Sequence, residues 1–212
     1  MIGFKSLTKN NLPEGRDSLQ EVYFEWWLQE LIDTGYVVRY ERSFRYKLID
    51  SVFTNKLSFK PIKKDSIRHL IVQREFLKSW TYEPDYDVYW SDKSYNFLFQ
   101  NIDYLNLVNF KTLFYAKLVN NEWLTVIDIK PKSFRGGSMS SSVKFPLIQK
   151  MMFLIHDVYV HKISPLDKGG LFDKTFTPQR YLFQDRRMIN RKISKWIPRK
   201  IVTFMKENSE DI

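Results

Sequence analysis

The run Thr125-Val-Ile-Asp-Ile-Lys-Pro-Lys132 constrains this chain more than any other stretch of it. Its β-branched residues favour an extended strand, whose side chains alternate faces with a period of two. Asp128 and Lys130 therefore emerge on one face, framed by Val126, Ile127 and Ile129. A carboxylate set amid a buried strand requires a partner, because an unpaired buried charge is costly. A second segment, Tyr82-Glu-Pro-Asp-Tyr-Asp-Val-Tyr-Trp90, places Asp85 in another β-rich run. If the two runs are neighbouring strands, two carboxylates and a lysine form a compact site able to hold a hard divalent cation against a phosphate.

Composition bounds what such a site could act on. The chain has 212 residues, 43% hydrophobic and 17% aromatic, which is enough for a real core. A formal net charge of +10 favours a polyanionic partner, nucleic acid first and an anionic membrane surface second. With no cysteine, disulfide frameworks, thiolate nucleophiles and cysteine zinc sites are excluded. Met1 to Arg16 lacks the apolar core of a secretory signal, and no stretch approaches the ~20 apolar residues that cross a bilayer. The expectation is a soluble cytoplasmic protein with no membrane partner. Abundant Lys, Asn, Ile, Phe and Tyr with few Gly and Ala resemble an AT-rich coding sequence, which suggests a bacterial cell or a phage-infected host.

Along the chain, Ser18 and Glu21 have capping-box spacing, and Phe24, Trp27, Leu28, Leu31 and Ile32 recur at helical intervals until Gly35. Tyr36 to Tyr40, Ser43 to Ile49 and Ile67 to Trp80 read as strands. A further strand over Phe110 to Val119 is predicted to turn at Asn120-Asn121 into the Thr125 run. Ser133 to Ser142, rich in Gly and Ser, reads as a mobile surface loop. Pro146 then falls near the first turn of a helix carrying Leu147, Ile148, Met151, Met152, Leu154 and Ile155, and Val158 to Ile163 follows as a strand. Strand, helix and strand make a β-α-β unit.

An acidic helix, Pro84-Asp85 opening one strand, Asp128-Ile129-Lys130 on the next and an amphipathic helix after it resemble the PD-(D/E)xK nuclease superfamily over roughly Ser18 to Ile163. The resemblance implies an α/β fold, a restriction-endonuclease-like mixed β-sheet core flanked by helices, here with a basic C-terminal helical extension. It divides the chain into a nuclease-like core, 1–165, and an extension, 166–212, packed on it. It implies Mg²⁺-dependent cleavage of DNA, with Mn²⁺ as a substitute. Asp85 and Asp128 match the metal ligands, Lys130 the catalytic lysine, and Glu21 the helical acid that many members use as a third ligand. Gln149 or Lys150 occupies the place of a Gln or Lys on the following helix. TnsA-type transposon-end nucleases, Holliday junction resolvases and head-completion nucleases of tailed phages are all members, and many members act as homodimers. The chain departs from the pattern in the roughly forty residues between Asp85 and Asp128, although surface insertions are thermodynamically cheap.

Each residue has a structural alternative. Asp85 fits a turn aspartate, Lys130 a simple ion-pair partner for Asp128, and Glu21 a capping-box glutamate. Glu25 and Glu75 are substitutes for Glu21, while Asp87 reads as a rim residue and His156 and His161 as structural. Arg186, Arg187, Arg191, Lys192 and Lys195, interleaved with Ile189, Ile193, Trp196 and Ile197, suit phosphate-backbone contact. The reading from a different class is a nucleic-acid-binding or virion-assembly protein that keeps the fold without turnover.

Overall fold

A computed structural model describes residues 7, 9–63, 66–94, 115–130, 139–166, 170–184 and 199–209. The chain divides into two compact units, Met1–Ser43 with Pro84–Ile212, and Phe44–Glu83.

The first unit opens with helix α1, Leu19–Asp33. Its N-cap is Ser18, whose Oγ accepts from the Glu21 N–H at 3.2 Å. At the other end the Gly35 N–H donates to the Ile32 carbonyl at 2.9 Å and the Tyr36 N–H to that of Leu31 at 2.8 Å. Those two bonds are a Schellman closure, and Gly35 at φ 75° supplies the left-handed residue it requires. Strand β1, Val37–Arg42, follows directly.

Numbering strands in chain order, the next four, β2 (Tyr46–Ile49), β3 (Val52–Lys63), β4 (Ser66–Leu77) and β5 (Trp80–Tyr82), belong to the second unit, and β6, Tyr86–Trp90, returns to the first. There β1 pairs antiparallel with β6, and β6 with β8, Glu122–Ile129. The other edge of β8 is shared: β7, Lys117–Val119, pairs antiparallel with its first half, and β9, Val160–Ile163, parallel with its second. Asn120 and Asn121, at φ 49° and 65°, have the doubly positive φ of a type I′ turn between β7 and β8. Helix α2, Met139–His156, connects β8 to the parallel β9, so the sheet is mixed and the β-α-β unit is present. The helix begins earlier than the sequence suggested. Met139 to Ser142, assigned to a loop, are helical, and Pro146 lies inside the helix rather than at its first turn. Residues 133–138 of that loop and Phe110 to Phe114 of the expected strand lie outside the described residues.

One face of the sheet, with Tyr86, Val88, Trp90, Ile127, Ile129 and Ile163, packs against Phe24, Trp27, Leu28 and Leu31 of α1. The same cluster takes Leu171 and Phe172 of α3, Leu171–Lys174, with Phe176, Tyr181 of α4, Gln179–Gln184, and Ile201, Phe204 and Met205 of α5, Ile201–Ser209. Trp27 stacks on Phe176 and donates its indole N–H to Thr175 Oγ1 at 3.1 Å. Beyond residue 165 the described chain thus contributes to the core of the first unit, where its aromatic residues help to cover α1.

The second unit is all β. Strands β2, Tyr46–Ile49, and β5, Trp80–Tyr82, pair antiparallel, as do β3, Val52–Lys63, and β4, Ser66–Leu77. The stretch from Ile67 to Trp80, read as one strand, is thus β4 and the start of β5, and β3 was not anticipated.

Candidate active site

Antiparallel pairing sets Tyr86 opposite Ile127 and Asp87 opposite Val126, so continuing the register by one step brings Asp85 level with Asp128. Two backbone features hold Asp85 there. Its N–H donates to the Ile127 carbonyl at 3.0 Å, and its Oδ2 accepts from the Ile129 N–H at 2.6 Å. The carboxylate thus takes the place of a strand rung where β6 has not yet begun. Pro84 before it is buried and has no N–H to lose.

Asp128 is 1% exposed, and Lys130 Nζ lies 2.5 Å from its Oδ1. The register therefore sets the carboxyl groups of Asp85 and Asp128 side by side across the two strands. Burial pushes the Asp85 carboxyl up to about 7, and the neighbouring Asp128 charge adds to the rise; the Ile129 N–H and Lys130 oppose it. Two carboxylates in one site do not both ionise readily without a cation. Strand β9 sets Lys162 opposite Asp128 in parallel register, which places an exposed second lysine on the same face. No local pattern announces that position, since it depends on which strand pairs with β8 after α2.

The structure brings together three of the four anticipated residues. Glu21 is engaged elsewhere: Ser18 Oγ donates to its Oε1 at 2.9 Å, the Asp17 N–H to its Oε2 at 3.4 Å, and Arg42 Nη2 lies 2.8 Å from Oε2. These are the bonds of a helix cap reinforced by an ion pair. Glu25 pairs with Arg16 and accepts from the Tyr86 hydroxyl at 2.8 Å, and Glu75, in the second unit, accepts from Ser51 Oγ at 2.5 Å. Among the described residues no group of three or more His, Asp or Glu gathers as a metal cage.

Asp87 is not the rim residue that the sequence reading made it. It is 2% exposed, accepts from Ser43 Oγ, and burial raises it to about 6. Gln149 faces β9, donating to the Val160 carbonyl at 2.7 Å and the Tyr159 hydroxyl at 3.1 Å, while Lys150 is exposed. His161 is buried, takes the Tyr115 N–H on Nε2 at 3.3 Å, and is pushed down to about 4 by burial. Arg186, Arg187, Arg191, Lys192 and Lys195 lie outside the described residues.

No protein-family model matches the chain, and no curated protein or solved structure matches it. Among the described residues no helix is long and apolar enough to cross a membrane.

Proposed function

We propose that the protein is a metal-dependent endonuclease that hydrolyses DNA phosphodiester bonds on a restriction-endonuclease-like core, with basic residues toward its C-terminus contacting phosphates. The observation that carries the reading is the juxtaposition of Asp85 and Asp128 across neighbouring strands, with Lys130 ion-paired to the latter. Hard oxygen donors, a like-charge pair and an adjacent ammonium are the inventory a divalent cation and a phosphate require. Mg²⁺ is held by one or two carboxylates together with substrate phosphates and waters, so a pair suffices without Glu21. When bound, the ion supplies positive charge against the phosphate and acidifies water.

The chain's own residues do the rest. Asp85 sheds its proton to act as a ligand, and Asp128 stays fixed in its strand between Ile127 and Ile129. Lys130, at the exit of β8, is part-exposed and presents its ammonium to an incoming phosphate, where it orients the attacking water or balances charge that grows on the leaving oxygen.

The test is nicking of supercoiled DNA with Mg²⁺, Mn²⁺ or EDTA, using wild type, Asp128→Ala and Lys130→Ala. Metal-dependent nicking reduced by about 100-fold or more in both variants is the expected result. Wild-type protein that binds DNA with steep salt dependence yet cuts no supercoiled or branched substrate would sink the enzyme and leave the binding protein in its place.

A further inference from the structure

Strands β3 and β4 are each 12 residues long, giving a ribbon about 40 Å in length at ~3.3 Å per residue. Every side chain described on it, Val52 to Lys56 and Ile71 to Leu77, is exposed. Among the strand residues the cations are Lys56, Lys60, Lys63, Arg68 and Arg74, against the single carboxylate of Glu75.

The register sorts these charges. Thr54 pairs with Arg74, Lys56 with Val72, Ser58 with Leu70, and Lys60 with Arg68. Residues directly opposite in an antiparallel pair share a face, as do residues two apart along a strand. Positions 56, 60, 68 and 74 therefore fall on one face, with no acid among its positions. The other face takes Phe53 opposite Glu75, Asn55 opposite Gln73, Leu57 opposite Ile71 and Phe59 opposite His69. A ribbon with four of its five Lys and Arg residues on one face matches a polyanion with regularly spaced charges. Duplex DNA carries one phosphate per ~3.4 Å along each strand, and its major groove admits a two-stranded β-ribbon.

We infer that the β3–β4 ribbon is a DNA-contacting arm whose Lys56, Lys60, Arg68 and Arg74 face lies on the phosphates of a duplex. This rests on DNA being the substrate of the proposed nuclease, and assigns a second contact surface besides the basic residues near the C-terminus.

The experiment measures binding to a short duplex in EDTA between about 50 and 200 mM salt, so cleavage plays no part. It compares wild type with the fourfold variant Lys56→Gln, Lys60→Gln, Arg68→Gln, Arg74→Gln. A second variant replaces Val52–Leu77 by Asn-Gly; the Ser79 N–H already donates to Ser51 Oγ at 3.1 Å, so the ends it joins lie together. With ~0.9 in log–log salt slope per phosphate contact, the fourfold variant loses about 3 to 4 in slope and at least about tenfold in affinity at the higher salt. The excised variant shows the same loss. Unchanged slope and affinity in both variants overturns the arm, even if wild type nicks DNA. A changed oligomeric state with unchanged DNA binding also overturns it, making the ribbon a contact between copies. Arm-dependent binding by a protein that never cuts supports the arm and removes the nuclease reading.

Discussion

At the residue scale the decisive feature is that Asp85 carries an ordinary side chain in an unusual place. Its folded value of about 7 stands above its usual 3.8, so the folded chain holds a proton that the unfolded chain gives up between those pH values. The stability associated with this neutral form is complete below about pH 4 and is lost as pH rises through 7. Asp85→Asn keeps an acceptor for the Ile129 N–H and removes the charge. It should raise stability by about 1–2 kcal/mol at pH 8, allowing for solvent screening, and change little at pH 4; urea midpoints at both pH values without divalent ions check this. His161 runs the other way. Held near 4 against 6.5, it contributes stability present above pH 6.5 and lost as pH falls through 4, so His161→Gln should flatten the acid limb of the stability curve. The Asp-x-Lys pair was legible in the sequence because strand alternation alone puts both side chains on one face. The meeting of Asp85 with Asp128 needed a pairing across 44 positions, given by the Ile129 to Asp85 bond, which no local rule supplies.

At the element scale, local chemistry was a good guide wherever a turn or cap was written in side chains. Ser18 and Gly35 bracket α1, and Asn120-Asn121 turns β7 into β8, because caps and positive-φ turns act within a few residues. Ser18→Ala should cost about 1 kcal/mol of stability, since it removes the acceptor of the Glu21 N–H and the donor to the Glu21 carboxylate. Thermal denaturation measures it, and a loss of nicking beyond that expected from stability would return Glu21 to the site. The β3–β4 hairpin was missed for a physical reason. Pro61 interrupts its first strand, and Lys63 to Ser66 lacks an Asn-Gly or Asp-Gly pair, so neither half advertised a partner. The start of α2 was missed because Ser and Met near its N-terminus resemble loop composition.

At the scale of the whole molecule, the family resemblance ends near Ile163 and sets residues 166–212 apart as an extension packed on the core. Leu171, Phe172, Phe176 and Phe204 join the α1 cluster of the unit formed by Met1–Ser43 and Pro84–Ile212, and Phe44–Glu83 is a compact unit of its own. Joining Ser43 to Pro84 through a short Gly-containing link should therefore leave a cooperative melt, while Phe176→Ala should cost about 3–5 kcal/mol. Calorimetry on both variants tests the division; a melt abolished by the excision would contradict it. The bond from the Ile129 amide to Asp85 Oδ2 closes the sheet with a side chain where backbone is lacking. It also makes that one amide proton a gauge: any ion, phosphate or proton that draws the carboxylate aside changes the chemical shift and exchange rate of Ile129, so occupancy of the site becomes readable by NMR without a substrate or a turnover.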